Sequence, residues 1–289
     1  MMKISITTEV GARFWRPEET LAKLAQAGFT GADCSLQVYP VGSAFWEEGG
    51  WEQQADALRD AAKREGIAIV QTHAPFPSSA DDPIQDERIF KTIEKAVCAA
   101  GRMGSRYIVV HPLIPMTLDY TAHREEIFKI NRTFFAHLAP VAQKAGVQIA
   151  IENMFRYDRA AEAFAPTFCS GAQDLLELLD ALDGPFAACL DTGHANVNGT
   201  KPGDMARALG ERLQVLHIHD NGGFEDDHTA PFLGTIDWED FCAALREIGY
   251  AGAISLETLR FEAALPEDAY PQGLVLLRAL AGHLAARCG

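Results

Sequence analysis

Eight short apolar segments, each followed by a stretch with helical patterning, constrain this 289-residue chain more than any other feature. They cover residues 3–8, 31–36, 67–72, 107–110, 147–151, 186–190, 213–219 and 252–256. Most are continuous apolar runs rather than alternating ones, as expected of parallel strands covered on both faces. Helices are expected over 17–27, 52–64, 87–102, 125–145, 172–182, 204–210, 238–248 and 272–286. Pro17-Glu18-Glu19 suits a first turn, and Gly28, Gly66 and Gly146 suit helix ends. Eight β/α units in one chain of this length imply an α/β fold, a single closed (β/α)8 barrel spanning 1–289. A doubly wound open sheet would want a glycine-rich phosphate turn after the first strand, which Thr8-Glu9-Val10-Gly11-Ala12 does not supply. No linker or shift of composition marks a second domain.

Charge and cysteine usage narrow the function classes. With 25 basic and 40 acidic side chains the net charge is −15. Nothing clusters Lys and Arg, so a nucleic-acid partner is not expected. The six cysteines show no CxxC spacing, which removes a zinc ribbon or a thioredoxin-like site. Scattered thiols suit a reducing compartment, and a cytoplasmic location is the expectation. Residues 1–6 enter a strand without a signal-peptide pattern. No apolar run approaches the ~18 residues of a membrane span, so no membrane partner is expected.

The ends of the strands carry the chemistry. In such barrels the active site is built at the C-terminal ends of the strands. Here the third strand ends in His73, the fourth in His111 and the fifth in Glu152. The sixth ends in Asp191 with His194 behind it, the seventh carries His217 and His219, and the eighth ends in Glu257. Asp226 and His228 follow in a loop. A single histidine at a strand end is usually a hydrogen-bonded core residue. Asp191-Thr192-Gly193 also suits a helix N-cap. The coincidence over consecutive strands points further, because several acids at one end of a barrel need a cation.

Glu152, Asp191, His217 and Glu257 therefore form a candidate metal set. Three carboxylates and an imidazole suit Mn2+, Mg2+ or Co2+, with Zn2+ as a further option. Such an ion polarises a carbonyl and a neighbouring hydroxyl. Glu152 and Glu257, from strands that can face each other, would remove and return a proton. His73, His111, His194 and His228 are expected to bind substrate hydroxyls. Phe14, Trp15 and Trp46 either wall the sugar face or pack loops onto the rim. Arg156 either meets an anionic group or is solvated. His123, His137 and His283 fall in helices and receive no role.

The chain resembles the xylose isomerase-like barrel superfamily, in its sugar phosphate isomerase/epimerase branch. That branch includes tagatose epimerase-like enzymes, and endonuclease IV is related. The segments carrying the resemblance are Thr72-His73-Ala74-Pro75, Val110-His111-Pro112, Ile151-Glu152-Asn153 and Leu190-Asp191-Thr192-Gly193-His194. His217-Ile218-His219-Asp220-Asn221, Asp226-Asp227-His228, Gly234-Thr235-Ile236-Asp237-Trp238 and Leu256-Glu257 complete them. The resemblance implies one metal on Glu152, Asp191, His217 and Glu257, with the two glutamates as acid and base. It implies a substrate contact for His194. The wider zinc set of endonuclease IV would fall on His73, His111, Glu152, Asp191, His194, His217, Asp226, His228 and Glu257.

Two segments depart from the branch. Gly222-Gly223-Phe224 stands where the epimerases often place an arginine. Ala230-Pro231-Phe232-Leu233-Gly234 replaces their Pro-Gly-x-Gly. The expected function is a metal-dependent isomerase or epimerase of a small keto sugar or polyol, working through a metal-stabilised enediolate. An inosose-type dehydratase, an endonuclease IV-like phosphodiesterase and a non-catalytic sugar-binding barrel are the alternatives. Relatives commonly form dimers or tetramers, so a homo-oligomer is the implied assembly.

Overall fold

The structure is a computed structural model and describes residues 2–158 and 162–289. In chain order the elements are β1 (Ile4–Ile6), α1 (Pro17–Ala27), β2 (Gly31–Ser35), α2 (Ala44–Glu47), α3 (Gly50–Glu65), β3 (Ala68–His73) and α4 (Pro83–Met103). Then come β4 (Tyr107–Val110), α5 (Tyr120–Ala145), β5 (Gln148–Glu152), β6 (Arg156–Asp158), β7 (Ala163–Ala165), α6 (Ala172–Asp180) and β8 (Phe186–Asp191). The chain continues through α7 (Thr192–Val197), α8 (Pro202–Leu209), β9 (Leu213–His217), α9 (Trp238–Glu247), β10 (Ile254–Leu256), α10 (Leu259–Ala263) and α11 (Tyr270–Cys288).

The strands form a six-stranded parallel sheet, ordered β2-β3-β4-β5-β8-β9, and a parallel pair, β1-β10. Single bridges join the two: Thr7 to Asp33 on one side, and Ile218 to Leu256 on the other. The result is the closed barrel expected from the spacing of the apolar runs. No described helix is long and apolar enough to cross a membrane.

Strand periodicity explains what the barrel encloses. Val109, Ala150, Cys189 and Val215 form an apolar cluster of their own, separate from the main core beneath the helices. They come from β4, β5, β8 and β9 and fill the inside of the barrel. Side chains two positions apart share a face of a strand. The next residues on that inner face are therefore His111, Glu152, Asp191 and His217. On β1 and β10 the same parity places Ser5 opposite Ser255, and Thr7 and Glu257 above them. The barrel thus changes from apolar to ionisable within one layer, at its C-terminal rim.

The helices end largely where glycine allows. Gly28, Gly66 and Gly146 cap α1, α3 and α5 in the left-handed conformation, where a side chain would be strained. The antiparallel β6–β7 pair was not expected; β6 begins four residues after β5 ends at the rim.

Candidate metal and proton-transfer site

Glu152 is the hub of the rim. It is buried, and its Oε1 lies 2.9 Å from His217 Nδ1. Its Oε2 lies 2.8 Å from His111 Nε2 and 3.4 Å from His73 Nε2. Glu257 Oε2 approaches the same His217 Nδ1 at 3.4 Å. Two carboxylates, one from β5 and one from the end of β10, thus converge on one imidazole nitrogen. The far nitrogen of that ring, His217 Nε2, is held at 3.0 Å by Asp33 Oδ2. Asp33 is positioned in turn by Gln71 Nε2, which donates to Oδ2 at 2.9 Å. A carboxylate behind a histidine fixes its ring and its tautomer, and so directs the other nitrogen into the site.

Asp191 sits beside this group. Its Oδ1 accepts from the His194 backbone N–H at 2.6 Å and caps α7. Its Oδ2 is buried without a hydrogen-bond partner. The Asn153 side chain pins Asp191 from behind, accepting from its N–H at 2.7 Å and donating to its carbonyl at 3.0 Å. Strands β5 and β8 therefore deliver Glu152 and Asp191 in fixed register.

A second group adjoins the first. It consists of His194, His219, Asp226 and His228. Asp226 Oδ2 lies 2.9 Å from His228 Nε2 and 3.7 Å from His194 Nε2, and Oδ1 lies 3.6 Å from His219 Nε2. The rings of His219 and His228 stack at 3.9 Å. Asp226 and His228 belong to the long loop after β9, which Asp220 organises. Asp220 accepts from Trp238 Nε1 at 2.9 Å, from Phe232 N–H at 3.1 Å and from Ile236 N–H at 3.2 Å. Gly193 is required beside this group, since a Cβ there would run into the His219 ring.

The electrostatics are those of an acid-rich pocket. Burial opposes charge on Glu152, yet His217 and His111 outweigh it and hold the carboxyl well below the usual range. Burial would lower His217, but the surrounding acids hold it well above an ordinary imidazole. His194 is raised in the same way by Asp191 and Asp226 against burial. Burial also works against His228, but Asp226 pushes it up to about 10. Among the described histidines of the rim, His111 moves the other way and is lowered by burial. Protons on the histidines thus balance the acids, and a divalent ion would do the same.

The donors fit such an ion. One atom each from Glu152, Asp191, His217 and Glu257 lies within 4.8 Å of the others. Buried Glu152 Oε2 and Asp191 Oδ2 have no aligned protein donor, which is the condition of oxygen atoms awaiting a cation. Oxygen-rich donors with one imidazole suit a hard to borderline divalent ion.

The structure brings His73, His111, His194 and His228 to the same rim. It does not bring Trp46 there. Trp46 is wholly buried in α2, and its Nε1 donates to the Tyr39 carbonyl at 2.9 Å. Its indole packs edge-on to Tyr39 and Phe45, so it is a core residue and not a wall of the pocket. Phe14 and Trp15 pack edge-on to Tyr270. Arg156 lies on β6 and donates to the Leu118 and Met116 carbonyls, so it is neither free nor merely solvated. Asp33, Gln71 and Asn153 were missed. Asp33 and Gln71 share an inward parity with residues at the rim, and that was the available signal.

The family described as the xylose isomerase-like TIM barrel matches residues 21–280, and the chain belongs to it. An uncharacterised protein of Methanocaldococcus jannaschii is 31% identical over 209 residues, 69% of this chain and 67% of that one. The D-psicose 3-epimerase of Enterocloster bolteae is 24% identical over 212 residues, 71% of this chain and 66% of the enzyme. The crystal structure of a D-tagatose 3-epimerase-like protein superposes with a TM-score of 0.74 at 21% identity, over 100% of both chains.

Proposed function

We propose that this protein is a divalent-metal-dependent isomerase or epimerase of a small keto sugar or polyol. The observation that carries this reading is the convergence of Glu152 Oε1 and Glu257 Oε2 on His217 Nδ1, at 2.9 and 3.4 Å. Two carboxylates facing each other across one point can take a proton from one face of a substrate carbon and return one to the other. The similarity to a D-psicose 3-epimerase supports the same chemistry.

A divalent ion on Glu152, Asp191, His217 and Glu257 would supply polarisation of the substrate carbonyl and acidify the adjacent C–H. Among the protein's own groups, Glu257 is the better placed first base, because Glu152 is encircled by His217, His111 and His73. Those imidazoles keep Glu152 ionised and can pass it a proton. Asp33 holds the His217 ring in place through its outer nitrogen. His194 and His228 stand where substrate hydroxyls would be bound. Mn2+, Mg2+ or Co2+ is the ion expected on this oxygen-rich set, with Zn2+ as the other option.

The test is a panel of ketoses, inososes and their phosphates with Mn2+ in deuterated water. Deuterium should enter the substrate at the carbon next to the carbonyl. Loss of water from an inosose instead would identify the dehydratase variant of the same proton abstraction.

The second donor group favours one further reading, a multinuclear site of the endonuclease IV kind, since His194, Asp226 and His228 also converge. The net charge of −15 counts against a DNA substrate. Several ions per chain, with cleavage of abasic DNA, would replace the isomerase reading.

A further inference from the structure

Beside the two donor groups lies a cleft that the proton transfer does not use. It measures about 270 Å³ and opens over the ends of β3, β4 and β5. Two of its walls are shared with the candidate site. The Phe76 ring lies 5.1 Å from the His111 ring, and the Phe155 ring lies 4.8 Å from the His194 ring. A substrate centred between Glu152 and Glu257 therefore has the cleft as its immediate neighbour.

The cleft is mainly apolar and offers sugar hydroxyls few partners, chiefly the Ser78 and Tyr157 hydroxyls. Its remaining walls include Pro112, Met116, Met154 and Tyr157. Ser79 Oγ already donates to Asp86 Oδ1 at 3.1 Å. The Arg156 guanidinium donates to the Leu118 carbonyl at 3.1 Å and the Met116 carbonyl at 3.3 Å, which anchors it. Most hydroxyls of a sugar placed here would lose water for little replacement. Meanwhile Phe76, Met116 and Tyr157 are 56%, 60% and 43% exposed around the mouth. Exposed apolar side chains gathered at a concave site mark a ligand groove. Flat rings beside a fixed guanidinium plane suit the face of an aromatic group. The volume is below the ~300–1,000 Å³ of whole ligand pockets, so the cleft suits an annex to the site.

We propose that this cleft is a subsite for an aromatic substituent. The substrate is then a sugar with an aryl group on its anomeric carbon and its ketone on another ring carbon, the sugar lying over the rim and the aryl ring between Phe76 and Phe155. This rests on the isomerase or epimerase reading for the sugar end, but the cleft can be tested apart from it.

The experiment compares the methyl and phenyl glycosides of one hexose whose ketone lies on a ring carbon other than the anomeric carbon, on the Mn2+-loaded protein. Binding is read by calorimetry, and turnover by solvent deuterium incorporation. The phenyl glycoside should bind at least tenfold more tightly, and Phe76→Ala should remove most of that preference. Equal affinities, or no detectable binding of either glycoside, would overturn the subsite. A preference untouched by both Phe76→Ala and Tyr157→Ser would overturn it too. Phenyl-selective binding without deuterium incorporation upholds the subsite and removes the isomerase reading. Incorporation into free ketoses with no gain from the phenyl group does the reverse. Gel filtration adds a last outcome: a dimer that Phe76→Ser dissociates, with no phenyl preference, would assign the patch to a second copy of the chain and overturn the proposal.

Discussion

The two donor groups at the barrel mouth adjoin each other but are built in different ways. Glu152, Asp191, His217 and Glu257 all project from strand ends and are all under 10% exposed. Their positions follow from strand parity, and Asp33 and Asn153 brace them from behind. In the second group, Asp226 and His228 come from a loop, are partly exposed, and place His228 at a positive φ of 43°. The first group is thus fixed by the barrel, whereas the second depends on how one loop is tied down. Machinery that must hold a reacting carbon belongs on the first, and specificity is easier to vary on the second.

The largest effect that can break this contrast is on turnover. Glu257→Gln should lower kcat by roughly 10²–10⁴-fold while leaving sugar binding measurable by calorimetry. Unchanged turnover would remove Glu257 from the acid/base pair. Next comes metal affinity. Asp33→Ala should weaken the tightest ion by roughly 10–100-fold, because it frees the His217 ring. His228→Ala should leave that ion in place and affect only weaker ones. Equal losses in a chelator competition would mean the two groups are not distinct.

Proton release offers a third measure. His217 and His194 are raised well above an ordinary imidazole, and His228 is raised to about 10, so these three rings favour their protonated forms when no ion is bound. An ion must displace those protons, so affinity should rise with pH. Calorimetry in buffers of differing ionisation heat should find protons released with each ion bound. A pH-independent affinity would contradict the charge balance described above.

A smaller effect comes from Glu262, buried on α10 near His228. Burial pushes its carboxyl up to about 8, while Thr258 Oγ1 donates to it at 2.6 Å. The folded value lies above the unfolded one, so the folded state holds the extra proton. Stability is then fully present below the unfolded pKa and is lost as pH rises towards 8. Glu262→Gln should raise Tm at pH 8 and flatten its fall between pH 5 and 8. A fall equally steep in the variant would place its cause elsewhere. The smallest expected change in activity is that of Trp46→Phe. It should leave KM within about twofold and cost about 1–3 kcal/mol in stability, from lost packing and a lost hydrogen bond. A large rise in KM would return Trp46 to the pocket.

How much of this was legible in the sequence depended on how locally each feature is determined. The barrel strands and their end residues were readable, because buried parallel strands leave continuous apolar runs that stop at the rim. Asp191 admitted two readings, a helix cap and a metal donor. The cap uses Oδ1 and leaves Oδ2 without a partner, so the two do not compete. Asp33 left only its inward parity as a signal, because one acid in Gly31-Ala32-Asp33-Cys34-Ser35 becomes significant only when β9 brings His217 to it across the barrel. The antiparallel β6–β7 pair was hidden because Arg156–Asp158 and Ala163–Ala165 are too short to show a period. Trp46 misled because an aromatic after a strand looks the same whether its ring faces substrate or core.

The barrel wall is not equally continuous around its circumference. Strands β2 to β9 are laced by ladders, while the β1–β10 pair is attached on each side by one bridge. Three of the candidate donors, Glu152, Asp191 and His217, stand on the laced arc, and Glu257 stands on the other. An ion shared by all four would act as a rivet across the β9–β10 seam. Loading the site would then tighten the hoop itself, and amide exchange at Ile218 and Glu257 would slow together with metal binding.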